Sequence, residues 1–376
     1  MRKLIALALG VGLALPAARP LQAAEANIPI LVPITGFLSL EGTSQRNGAL
    51  LALRNAPAGV TIVHEVSDTG VAPEVAVNAL ERALGRGKVT AVVASMLGTQ
   101  MLAMLPVAQE QKVPLVTVSG TAAITERGNP YVFRFFPGDA VVKAAHVRYA
   151  AEELRAKRLA VIYQTTAYGQ SGRQHIADNA RRLGLEIVFE EALETQVRDM
   201  SAVLGKARAA NPDVLLLHLH APSTALVVRQ AAAMNIGARI VAGSAMHQPP
   251  TAALLEPGEL RGVCAETNAS PISGGSPALD RFLEQYRREF NTEPDGFALG
   301  QYDGTMMVVE AVARGAQGPA EVTRALQGGT HRGLAMTYKS DGRGNMAHSA
   351  QIVCYDGQTR IPRVVKRYDD IAPPSN

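Results

Sequence analysis

Short apolar runs alternate with longer segments of mixed polarity along most of the chain. The runs at 28–34, 60–66, 89–95 and 114–118 are rich in Val, Ile and Leu and read as buried strands. Between them, 48–55, 74–84 and 101–111 read as helices. A second series starts after Phe136-Pro137-Gly138, with strands at 158–163, 186–190, 213–219 and 239–242 and helices at 140–154, 170–183, 200–210 and 223–234. Gly184 closes the second of these helices as a C-cap, and Asn211-Pro212 stops the third. Strand–helix alternation of this kind predicts an α/β fold of doubly wound parallel sheets with right-handed crossovers. Past a strand at 262–266 the alternation lapses. Helices at 278–290 and 297–313 follow one another, a break at 315–319 leads to a short helix ending at 326, and strand-like pieces lie at 334–339, 349–355 and 363–367.

Candidate chemistry concentrates in 89–139. The strand at 89–95 leads to Gly98-Thr99, which opens a helix, and the strand at 114–118 runs into Ser119-Gly120-Thr121. Two parallel strands then end side by side, each followed by small residues. Ligands of open α/β sheets bind at such carboxyl ends. The first amides of a helix lack backbone partners and carry partial positive charge, and small side chains let an anion reach them. The expected ligand is a small carboxylate.

These motifs, and the order of elements from about 28 to 355, resemble the periplasmic leucine/isoleucine/valine-binding proteins, the type I solute-binding proteins of ABC importers. The resemblance implies two lobes joined by a three-segment hinge, with crossings near 135–139, 265–271 and 334–343. Lobe 1 would comprise 27–136 plus 268–335, and lobe 2 would comprise 137–267 plus 336–370. It implies that Gly98, Thr99, Ser119, Gly120 and Thr121 hold the ligand carboxylate, and that Tyr168 of the Tyr-Gly pair closes over it from the second lobe. His220 takes the place of a cleft-lining aromatic residue, and Tyr302 could line the cleft from the first lobe. Asp303 is expected to be structural. Glu41, in the expected loop at 35–42, stands where the family carries an aromatic residue, and it is either a solvated surface acid or a carboxylate inside the cleft. Where the family presents an acid to the ligand ammonium, this chain has Ser244, and no acid occurs from 237 to 255. A buried ammonium without an ionised partner is costly. The expected ligand is therefore a hydrophobic or aromatic acid, unless Glu41 or another acid supplies the missing charge to an amino acid.

Composition narrows the class further. Arg2, Lys3 and the apolar run at 4–15 form a secretory leader too short to span a bilayer. The sequence Ala24-Glu25-Ala26 offers a cleavage motif, giving a signal peptide at 1–26 and a mature start near Asn27. Cleavage after Ala23 is the alternative. The mature chain is expected in a bacterial periplasm, without a lipid anchor because no Cys lies near the cleavage site. Removing Arg2, Lys3, Arg19 and Glu25 leaves 34 basic and 32 acidic residues, which is no nucleic-acid footprint. Hydrophobic residues make up 47% of the chain, enough for a sizeable core in each of two domains.

Cys264 and Cys354 both lie in apolar, strand-like runs, and either a disulfide or two inert buried thiols is compatible with an oxidising compartment. His218-Leu219-His220 could turn two imidazoles to one face, yet two ligands do not close a metal site. The chain lacks G-x-S-x-G, H-E-x-x-H, a Walker loop and a strand-linked G-x-G-x-x-G. Neither enzymatic activity nor a cofactor is expected. The expected partners are a small carboxylate and a membrane ABC permease, with the chain itself a monomer. A receptor of the same fold, signalling to a partner protein, is the alternative.

Overall fold

The computed structural model describes residues 24–271 and 275–371. Most of the expected leader, 1–23, lies outside the described residues. Ala24–Asn27 forms a strand that pairs in parallel with Val60–Val63, so the fold begins ahead of the expected mature start at Asn27. Among the described residues no helix is long and apolar enough to cross a membrane.

Two sheets carry the molecule, and the first five strands of each are wound in the same order. In the first, Ile30–Val32 lies between Val66–Asp68 and Val92–Val93, followed by Leu115–Thr117 and Val132–Arg134, all parallel. In the second, Arg158–Gln164 lies between Glu186–Leu193 and Val214–His218, followed by Arg239–Ala242 and Cys264–Thr267. In each, the winding direction reverses beside the first strand, the place where open α/β sheets form a ligand crevice. The second sheet departs from the all-parallel expectation. Ala350–Cys354 and Arg363–Tyr368 extend its edge antiparallel. Cys264 and Cys354 face each other across that first antiparallel pair and form a disulfide.

Helix Gly296–Ala313, reached after the second crossing, returns to the first lobe. It lies so close to helix Ser39–Arg54 that a Cβ on Gly48 would run into the Ala298 carbonyl. At the third crossing, Tyr338, Met346 and Ala347 still pack into the core of the first sheet, and Asn345 bridges to Arg134. The chain therefore passes to the second sheet between Ala347 and Ala350, later than the expected 334–343.

Two elements differ from the sequence reading in ways that matter for the site. Helix Ser39–Arg54 starts nine residues before the expected 48. Its first turns carry Glu41, Ser44, Gln45 and Asn47, all buried, so polarity there does not mark a loop. The strand Val132–Arg134 was not anticipated because Arg134 interrupts its apolar run. That guanidinium is buried and donates to the carbonyls of Gly120 and Thr121 at 3.2 and 2.8 Å.

Candidate functional site

The two winding reversals face each other across a small cavity. Leu38, Glu41, Met96, Val118, Gly120 and Phe297 line it from the first lobe. Asp139, Val142, Tyr168, Leu219, His220, Ser244, Ala245 and Glu266 line it from the second, with Phe136 at the crossing. Its walls are mostly apolar, broken by a few convergent polar groups, as in small-molecule sites generally.

One end is built for an anion. Helix Gly98–Gln111 starts without a side-chain cap, which leaves its first amides unpaired. A Cβ on Gly98 would collide with the Thr121 hydroxyl, so only glycine lets the helix start and this loop meet. The hydroxyls of Ser119 and Thr121 are buried without hydrogen-bond partners. Buried polar groups are normally paired, and these two hydroxyls beside a helix N-terminus are free to donate to an anion. The loop that presents them is fixed: Ser119 N donates to Thr117 Oγ1 at 3.1 Å, and Arg134 holds the carbonyls of Gly120 and Thr121. Of this group only Gly120 reaches the cavity wall itself, while Gly98, Thr99, Ser119 and Thr121 are not part of it.

The opposite wall is acidic, which the sequence reading missed. Asp139 opens helix Asp139–Glu152, and its backbone N–H donates to Gly120 O at 2.7 Å. Its side chain is buried, and a Cβ on Gly120 would lie 3.1 Å from Asp139 Oδ1. Burial pushes the Asp139 carboxyl up to about 7, against the pull of Lys143 and the Ser171 hydroxyl. Glu266 behaves in the opposite way. Burial works against its charge, but Lys143 Nζ at 2.5 Å and His146 Nδ1 at 3.3 Å outweigh it and hold the carboxyl near 2. Ser244 Oγ donates to Glu266 Oε1 at 3.4 Å. The segment 237–255 is indeed free of acids, yet the cavity is not. Asp139 looked like a helix-start residue and Glu266 sat inside an apolar run, so neither carried a sequence signal for the site.

Tyr168 and His220 meet at the reversal of the second sheet. Tyr168 packs on His218 at 3.8 Å and on His220 at 5.3 Å, and Phe37 of the first lobe reaches His220 at 5.1 Å between ring centres. Burial pushes His220 down to about 3, so the ring is neutral; its Nε2 lies 3.2 Å from Thr166 Oγ1. His218 Nε2 lies 3.0 Å from Tyr168 O, which gives this nitrogen a structural role. Among the described residues no three His, Cys, Asp or Glu side chains come together as a metal would need.

Glu41 is buried in the first turn of its helix, not in a solvated loop. Its Oε1 accepts from Ala221 N of the second lobe at 2.8 Å, and its Oε2 has no partner. Burial pushes this carboxyl up to about 7 despite the Ala221 amide. Tyr302 is a correction. Its hydroxyl accepts from Asn55 Nδ2 at 3.1 Å and its ring lies edge-on to Phe282, among the outer helices of the first lobe and away from the cavity. Asp303 accepts from Leu334 N and Ala335 N at 2.7 and 2.9 Å, a structural role in the approach to the third crossing.

A family model for periplasmic binding proteins matches residues 25–359. The chain belongs to this family of solute-binding proteins, which are not enzymes. A Leu/Ile/Val-binding protein homolog of Brucella suis biovar 1 is 26% identical over 333 residues, covering 84% of this chain and 82% of its own. Among solved structures, the substrate-binding protein LivJ of Streptococcus pneumoniae, in complex with isoleucine, matches with a TM-score of 0.82 and 24% identity, over 91% of this chain and 99% of that one. A solute-binding protein of R. palustris in complex with benzoate matches at 0.81 and 17% identity, over 92% and 99%. The fold is thus the type I periplasmic binding fold, and its structural neighbours hold both amino acids and benzoates.

Proposed function

We propose that this chain is the periplasmic ligand-capturing component of an ABC importer, and that its ligand is an α-amino acid. The carrying observation is the position of Asp139. Its carboxyl abuts Gly120, the residue between the two orphan hydroxyls of Ser119 and Thr121. A ligand whose carboxylate sits on those hydroxyls and the amides of Gly98 and Thr99 would bring the group on its α-carbon against Asp139. An α-ammonium is the strongest partner for a buried carboxylate. A hydroxybenzoate, with its second polar group across the ring, would leave Asp139 without one. This revises the expectation of a ligand without ammonium, which rested on the segment around Ser244 alone.

Tyr168, His220 and the Ser244 turn would close over the ligand from the second lobe, and the closed form would dock on a membrane permease as a monomer. Residues 27–136 with 268–335, and 137–267 with the C-terminal strands, are the lobes that move, with 336–347 assigned to the first. Export would follow cleavage after Ala23, because cleavage after Ala26 removes three of the four residues of a paired strand.

Calorimetry on amino acids against their 2-oxo analogues tests this reading. The amino acids should bind at least tenfold tighter, and Asp139→Asn should shrink the difference. Equal affinity of a 2-oxo acid and its amino acid would reject it.

A further inference from the structure

Glu41 is 2% exposed and lines the cavity, yet only half of its carboxyl is used. Oε1 takes the Ala221 amide across the lobes, while Oε2 is buried with no partner. Its surroundings do not favour an unpaired acid. Leu38, Met96 and Phe297 make the first-lobe wall apolar, burial of the group is complete, and the field of Asp295 adds repulsion. No Lys or Arg pairs with Glu41 among the described residues, and His220, which lines the same cavity, is neutral. A buried acceptor of this kind costs free energy unless something completes it. The α-carboxylate and α-ammonium of an amino acid are already accounted for, at the Ser119–Thr121 loop and at Asp139. The remaining part of the ligand is its side chain.

We propose that Glu41 reads the far end of the ligand, and that the ligand is an amino acid whose side chain carries a hydrogen-bond donor, an ammonium or a hydroxyl, rather than an aliphatic one. The proposal rests on the amino-acid reading above and narrows it. A donor on Oε2 keeps the carboxyl ionised, and an ionised Oε1 is the stronger acceptor for the first amide of helix Ala221–Ala233. Recognition of the side chain and contact between the lobes then pass through one residue. Specificity follows from the same asymmetry: a methyl group facing Oε2 leaves a buried acceptor unpaired, whereas a donor satisfies it.

The test compares side chains that differ only in their last group. L-norleucine, L-ornithine and 5-hydroxy-L-norvaline form one series of equal length. L-norvaline, L-2,4-diaminobutyrate and L-homoserine form a shorter one. In calorimetry, at least one donor-ended member should bind tenfold or more tighter than the methyl-ended member of its own series. Glu41→Leu should abolish or reverse that preference. Glu41→Gln, which keeps one acceptor oxygen, should retain part of it for the hydroxyl, and thermal melts establish that both variants are folded. Methyl-ended ligands that bind as tightly as donor-ended ones in both series would overturn the proposal while leaving the amino-acid reading intact. So would a preference that survives Glu41→Leu. Binding by no member of either series would remove both.

Discussion

At the scale of single residues, the cavity is a set of carboxyls held in different protonation states by their neighbours. Asp139 and Glu41 are raised to about 7 by burial, from ordinary values of 3.8 and 4.5. For both, the folded value lies above the unfolded one. The stability they contribute is complete below about pH 4 and is lost as pH rises through 7. Glu266 has the opposite sign: held near 2 by Lys143 and His146, its contribution is present above 4.5 and lost as pH falls towards 2. The ligand-free protein should therefore melt highest between about pH 4 and pH 5 and lose stability as pH rises from there through 7, with little further change above. Asp139→Asn should narrow that loss, each kcal/mol recovered being worth about 2–4 °C in Tm. Part of the slope should remain, because Glu41 is untouched and Asp303 is also raised to about 7 by burial. An identical drop in the variant and the parent would mean that Asp139 does not carry a buried charge at pH 8. The same reasoning explains why substitution at a binding carboxylate is expected to stabilise the empty protein while weakening its function.

At the scale of elements, the periodic parts of the chain were legible and the functional parts less so. Arg239–Ala242 matches its expected strand, and helix Pro277–Phe290 begins one residue before expectation, because their patterns answer to core packing alone. Helix Ser39–Arg54 was truncated in the reading because its first turns bury Glu41 in the cavity wall and Ser44, Gln45 and Asn47 inside the first lobe, where bonds such as Ser44 Oγ to Asp295 and Gln45 Nε2 to Ala94 O override local polarity. Val132–Arg134 escaped for a related reason: a buried arginine serves the carbonyls of Gly120 and Thr121 from within a strand. The disulfide shows what spacing alone could not decide. Cys264 and Cys354 are 90 residues apart and become neighbours only through an antiparallel pairing that the parallel pattern did not suggest. That bridge pins the strand bearing Glu266 to the C-terminal extension of the sheet. Replacing both cysteines by serine should lower stability by about 2–4 kcal/mol, the usual range for a crosslink closing a long loop. Denaturant midpoints measured for the variant and for the oxidised parent provide the check, and coincident curves would show that the bridge contributes nothing to the folded state.

At the scale of the whole molecule, the resemblance implied a cleft between two lobes, and the distribution of polar groups around the cavity had to come from the structure. Among the described residues, the hydrogen bonds that join the lobes include Ala221 N to Glu41 Oε1 at 2.8 Å, Gln248 Nε2 to Asp295 Oδ2 at 2.6 Å, Ala122 N to Ser171 Oγ at 3.0 Å and, beside the first crossing, Asp139 N to Gly120 O at 2.7 Å. Each exchanges a bond to water for a bond to protein, so its net worth is on the order of 1 kcal/mol. Against this stand the unpaired hydroxyls of Ser119 and Thr121 and the half-used carboxyl of Glu41, groups that water would satisfy in an open cleft. The empty closed form therefore has little to hold it. A ligand that binds both walls changes the balance by its differential affinity for the closed form, which is the only quantity that can shift such an equilibrium. An amino acid that completes the Ser119–Thr121 loop on one lobe and Asp139 on the other meets this requirement, and a ligand held by one wall alone does not. Small-angle scattering should accordingly give a smaller radius of gyration at saturation with the tightest-binding amino acid of the calorimetric series than without it. Asp139→Asn should leave the ligand-free radius unchanged and weaken the compaction at the same ligand concentration. A radius that stays constant on saturation of the parent protein would rule out hinge closure as the response to this ligand.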